Sequence, residues 1–132
     1  MKVEFEGIAD NDEDTLTFYF GITTRELNVK IMIYEPRFFD STVWRRFLNN
    51  LVSEKKDILD FSHSNGNVFI SSNEGLTTFK VVKYGSSGDG GIEVTVPNKI
   101  CIHAFTQAFK RIVLIEKAIK FCKDHSTTFV DE

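Results

Sequence analysis

The sequence predicts an α+β fold: one antiparallel β-sheet of about six strands with two main helices packed on one face. Three observations predict it. Apolar and polar residues alternate with period two in short runs bounded by turn residues. Twice that rhythm gives way to the i, i+3, i+4, i+7 stripe of an amphipathic helix. A proline stands near each switch, Pro36 and Pro97. The order is three strands, a helix, three or four strands, a helix. A chain of 132 residues has the length of a single domain, 1–132, and can hide roughly 65–70% of its unfolded surface.

The first strand is expected at 2–8, with Val3, Phe5 and Gly7 inward against Lys2, Glu4 and Glu6. "ADNDED" at 9–14 is a polar turn. "TLTFYFGI" then turns Leu16, Phe18, Phe20 and Ile22 inward and Thr15, Thr17 and Tyr19 outward. "LNVKIMIY" repeats the pattern, with Leu27, Val29, Ile31 and Ile33 inward and Lys30, Met32 and Tyr34 outward. Short turns between three such runs read as an antiparallel meander.

The first helix is expected over 41–54, with Asp40 or Ser41 as its cap. Its stripe is Val43, Trp44, Phe47, Leu48, Leu51 and Val52. Strands return around 58–62 and 67–71, with "SNGN" as the turn between them. They continue at 76–84 and 91–97. Asn98 is a good N-cap, and the last helix is expected over 98–123. Its buried stripe is Cys101, Ala104, Phe105, Ala108, Phe109, Ile112, Ile115, Ile119 and Cys122. The remainder, 124–132, reads as a short, polar, loose tail.

Composition narrows the function classes. The net charge is −3, unevenly placed: residues 1–40 hold nine acids and four bases, which leaves the rest mildly basic. Such a dipolar surface bears on partner choice. Thirteen phenylalanines stand against three tyrosines and one tryptophan, enough for a Phe-packed core with one or two rings to spare for a contact. The two cysteines fall on one side of one helix, about 30 Å apart at ~1.5 Å per residue. They cannot bridge while it is intact and read as free thiols of a reducing compartment. The N-terminus lacks the apolar run of a signal peptide, and no run approaches a membrane span. A cytoplasmic protein, of its own cell or of a host cell, with no membrane partner is expected.

The motifs that would announce a reaction are missing from the sequence. "YGSSGDGGIEV" (84–94) is rich in glycine, but Gly85 and Gly90 are followed by Gly91 and Ile92 where a P-loop has Lys and Ser/Thr. A strand follows where a phosphate site needs a helix. The stretch reads as a hairpin turn built on Asp89-Gly90, or as a loop that closes over a partner. Asp10, Asp12 and Asp14 have the rhythm of a calcium loop, yet Thr15 and Gly21 stand where its Gly and Glu belong. His103 and Cys101 point about 200° apart on a helix of ~3.6 residues per turn, so they do not make a nucleophile and base. No cofactor, metal or catalytic residue is expected.

What remains is surface. Tyr19, Met32 and Tyr34, with Lys30, stand on the uncovered sheet face, joined there by Lys80, Val82 and Tyr84. On the last helix Lys99, His103, Lys110 and Lys117 fall near one line opposite the core stripe, and Leu114 sits among them as an exposed apolar anchor. The expected partner is another protein, bound through Tyr19, Met32, Tyr34, Tyr84, Asp89, Lys110, Leu114 and Lys117, with self-association through strand edges or the sheet face as a further use. Small acidic α+β proteins of this size include immunity and inhibitor proteins. The alternative is single-stranded nucleic acid, stacked on the open sheet face and held by the basic last helix. The element order, twice meander then helix, is similar to that of the Whirly and PUR single-strand binders. That likeness is one of topology, with no motif of either family in this chain.

Overall fold

A computed structural model of the chain describes all residues except 11–14, 37–38, 64–65 and 131–132, and no side chain is described for His63 or for 122–130. Among the described residues, seven strands and two helices follow in the order β1 (Lys2–Asp10), β2 (Thr15–Thr23), β3 (Asn28–Pro36), α1 (Ser41–Val52), β4 (Asp57–His63), β5 (Gly66–Asn73), β6 (Leu76–Lys83), β7 (Gly90–Pro97) and α2 (Asn98–Val130). The domain is α+β and antiparallel, as expected. The single sheet is not. β1-β2-β3 form one sheet and β4-β5-β6-β7 another. Alternation along a strand says which side chains turn inward. It does not say which strand lies beside which across an intervening helix, so two meanders facing one core look like one sheet in the sequence.

In the three-stranded sheet, Leu16, Phe18, Phe20 and Ile22 of β2 and Ile31 and Ile33 of β3 are buried as read. Two inward assignments and one outward assignment change. A β-bulge between Phe5 and Gly7 resets the register, so Ile8 takes the inward place opposite Phe18 that alternation gave to Gly7. Gly7 has φ +143°, a conformation that glycine adopts without strain. Leu27 lies outside β3 in a turn, where its carbonyl accepts from the Thr24 amide at 2.7 Å, and it is exposed. Thr17, read as outward, is buried.

Asp40 caps α1, its Oδ1 accepting from the Thr42 amide at 3.0 Å and the Thr42 hydroxyl at 2.6 Å. Trp44, Phe47 and Leu51 are buried, whereas Val52, placed in the stripe, is exposed. α1 ends two residues before the expected 54, where Glu54 turns to φ +58°. Arg46 then ties α1 to β4: its Nε and Nη2 donate to Asp57 at 3.0 and 3.1 Å. Burial alone would raise the Asp57 carboxyl, but hydrogen bonds from Arg46, Asn50 and the Ile58 amide, with the Arg46 charge, hold it below the usual range.

The four-stranded sheet is a continuous meander. β5 and β6 join through a two-residue turn, Glu74-Gly75, with both φ positive, the primed geometry that suits hairpin twist. Lys83 pairs with Gly90, so the glycine-rich stretch does close a hairpin. The turn is longer than the Asp89-Gly90 pair expected. Gly90 already belongs to β7, and the Asp89 carboxylate accepts from the Gly85 amide at 3.3 Å.

α2 begins at Asn98, but the Asn98 side chain serves other elements. Its Nδ2 donates to the Leu51 carbonyl and to Ser72 Oγ, both at 3.1 Å, and its Oδ1 accepts from the Thr77 hydroxyl at 2.6 Å. One side chain thus joins the end of α1, β5, β6 and the start of α2. α2 runs seven residues past the expected 123; "DHSTTFV" holds no glycine or proline to stop a helix. The side chains of the stretch expected to be loose lie outside the described residues.

The core gathers the inner faces of both sheets and both helices. Phe105 of α2 is its centre. It stands 5.1 Å from Phe20, 5.3 Å from Phe47, 6.2 Å from Phe79 and 6.4 Å from Trp44, centroid to centroid. Those four rings come from β2, α1 and β6. Cys101, next to it in the stripe, is fully buried.

Candidate functional site

The residues singled out in the sequence fall in three separate places. Tyr19, Met32 and Tyr34 lie on the outer face of the three-stranded sheet. Tyr19 pairs with Met32 and Thr17 with Tyr34 across β2 and β3; Met32 and Tyr34 are each about two-fifths exposed and Tyr19 is half-buried. The cations nearby are engaged, Lys30 with Glu6 at 3.5 Å and Lys2 with Glu4 at 2.5 Å.

Lys80, Val82 and Tyr84 do not join that patch, because β6 belongs to the other sheet. Tyr84 is exposed at the root of the β6–β7 loop, and its hydroxyl accepts from Asn67 Nδ2 at 3.1 Å. Asp89 is exposed in the same loop and turned back onto Gly85.

The third place is α2. Asn98 lies against the last turn of α1 through the Leu51 carbonyl, and Glu116 Oε2 accepts from the first α1 amide, Ser41 N–H, at 3.3 Å. The helices are therefore antiparallel, and α2 passes beyond the start of α1 after residue 116. Arg45 of α1 sits over the Phe109 ring at 5.4 Å, a third tie between the helices. Cys101, Ala104, Phe105, Ala108 and Ile112 fill the inward stripe. On the far side Lys110, Leu114 and Lys117 are exposed as read, Leu114 at 62%.

Sequence reasoning missed Phe121, which is 60% exposed. Its signal was present: seven residues from Leu114 is two helical turns, so both fall on one line. Glu116 is the one acid among the described side chains of α2, and it is used at the α1 N-terminus, where a carboxylate is favoured. Lys110, Arg111, Lys117 and Lys120 face solvent around the two apolar side chains.

Groups that could support chemistry are few. Among the described residues no three His, Cys, Asp or Glu side chains gather to hold a metal ion. Burial pushes the Cys101 thiol up to about 12, which keeps it from acting as a thiolate near neutral pH. Glu35 is half-buried at the end of β3, and burial raises its carboxyl above 4.5 against the opposing hydrogen bond from Trp44 Nε1 at 3.3 Å. A carboxyl raised on folding holds its proton more tightly in the native state. Its contribution to stability is full below about pH 4.5 and is lost as the pH rises through the folded value. Glu35→Gln removes that loss while keeping an acceptor for Trp44. Unfolding midpoints at pH 7 should therefore match or exceed those of the wild type, and the difference should vanish by pH 4; a lower midpoint at pH 7 would show that the charge itself is needed.

None of the described helices is long and apolar enough to cross a membrane. A family model described as a family of unknown function (DUF5766) matches residues 28–107. The match takes in β3, α1, the whole four-stranded sheet and the first turns of α2, and it stops short of Leu114 and Phe121. No curated protein and no solved structure matches the chain.

Proposed function

The chain belongs to this family of unknown function, and we propose that it is a small, non-catalytic binding module that recognises another protein. One observation carries the reading. α2 already has a buried stripe, yet it presents a further large apolar side chain, Leu114, to solvent on its opposite side. Burying that side chain against a partner is worth about 1.5–3 kcal/mol. The outer sheet patch of Tyr19, Met32 and Tyr34 supplies a second, smaller contact of the amphipathic kind common at protein interfaces. The test is retention of a defined protein from an extract of the source cell on the immobilised full chain at 150 mM salt. Retention above an unrelated acidic domain of equal size is expected. A substrate turned over by the purified protein, with nothing retained, would overturn the reading.

A second reading, single-stranded nucleic acid, draws on the open outer face of β1–β3 with its exposed Tyr34. Lys2 and Lys30 on that face are each neutralised by a glutamate, so it offers phosphate little net charge. A gel-shift titration with single-stranded DNA and RNA at low salt should show no complex at micromolar protein. A shift that weakens with salt, and a loss of about 1–3 kcal/mol in Tyr34→Ala, would put this reading first.

A further inference from the structure

We propose that the outer edge of β7 is a dimer interface, where a second copy of this chain pairs antiparallel about Val94 and the two four-stranded sheets become one of eight strands. This stands independently of the protein-binding reading above. The sheets leave four strand edges, on β1, β3, β4 and β7. Three of them are guarded. β1 carries the bulge between Phe5 and Gly7 and the charges of Lys2, Glu4 and Glu6, and α2 packs against it. β3 and β4 approach each other, and Asp57 at the start of β4 is held by Arg46. β7 has none of these devices. It runs opposite β6 without a bulge from Gly90 to Pro97 and bears a single charge, Glu93. α2 leaves β7 toward the core, where Phe105 stands 6.2 Å from the Phe79 ring of β6. Among the described residues, no group beyond the β6 ladder takes the outward amides and carbonyls of β7.

This edge complements itself, which commits it to a second copy. Pairing about Val94 sets Val94 against its own copy and Ile92 against Val96 of the second copy. Ile92 and Val94 lie opposite Val81 and Phe79 in the inward row, yet they are only half-buried in the single chain. On the outer face Glu93 meets Thr95 of the second copy, and two-fold symmetry makes that match twice. Lys80 of β6 flanks Glu93 on its other side, so no like charges face each other. Centring the pair on residue 93 instead would set the two glutamates face to face, which is unfavourable. Gly90 and Gly91 come opposite Asn98 and Pro97 of the second copy and place no side chain against the turn into its helix. Residues 91–97 span about 23 Å at ~3.3 Å per residue, a full strand's length of new backbone hydrogen bonds. An unrelated strand gains the same bonds without the doubled match.

The experiment is sedimentation equilibrium of the full chain at roughly 1–100 μM, for the wild type, T95E and T95K. A monomer–dimer equilibrium is expected for the wild type. T95E opposes Glu93 with a second carboxylate at two symmetry-related places and should raise the dimer dissociation constant roughly tenfold. T95K offers the same glutamates a cation and should not raise it. Should T95E fold poorly, amide hydrogen exchange of the wild type decides: residues 91–97 should exchange more slowly at the high concentration than at the low one, while β1 should not change. A wild-type chain that stays monomeric, a T95E dimer as tight as that of the wild type, a T95K dimer weakened as much as that of T95E, or β7 exchange independent of concentration would overturn the proposal. None of these results touches Leu114, so the protein-binding reading stands or falls separately.

Discussion

Phe105→Ala is expected to destabilise the domain by about 4 kcal/mol, the largest effect of any single truncation on the core. The ring meets aromatic rings of β2, α1 and β6 at 5.1–6.4 Å, so its removal opens a cavity where both sheets and both helices meet. Ring pairs at such separations add about 0.5–1.5 kcal/mol each beyond their buried area. A domain of this size holds roughly 5–15 kcal/mol in total; urea unfolding should show a midpoint shifted by a large fraction of its value. A loss under about 1.5 kcal/mol would mean that the two sheets do not share one core.

Asn98→Ala is expected to cost about 3 kcal/mol, because the Leu51 carbonyl, Ser72 Oγ and the Thr77 hydroxyl all lose a buried partner. Volume does not explain the effect, and Asn98→Asp shows why. Aspartate can still accept from Thr77, but it offers no donor to the Leu51 carbonyl and brings a buried charge toward it. Its unfolding midpoint should be low at pH 7 and recover part of the loss at pH 4, where the carboxyl is protonated. A variant as stable as the wild type at both pH values would show that the hub carries no weight.

These two residues mark the limits of what the sequence discloses. The position of Phe105 in a buried stripe follows from 3.6-residue spacing, yet its centrality depends on two sheets meeting over it, which no local pattern encodes. Asn98 after Pro97 has the look of a helix cap. Only the fold brings the end of α1 and the β5–β6 strands within reach of its amide. Elements survive the comparison better than neighbours do. Leu16, Phe18, Phe20 and Ile22 of β2 and Ile31 and Ile33 of β3 were legible as inward, while the bulge at Gly7, the exposed Leu27 and the division into two sheets were not. On the surface, Leu114, Lys110 and Lys117 were legible from their angle on the helix. Phe121 obeys the same angle and went unread beside the more prominent lysines. Tyr84 was assigned to the wrong patch because one sheet was assumed where there are two.

The account turns on one statement: Leu114 serves a partner and not the fold. The most direct measurement compares capture from a source-cell extract by the wild-type chain and by L114D, with the unfolding midpoint of each recorded alongside. The account predicts midpoints within about 0.5 kcal/mol of each other, as for surface substitutions in general, and loss of the captured protein from the variant. Undiminished capture by a folded L114D would contradict it.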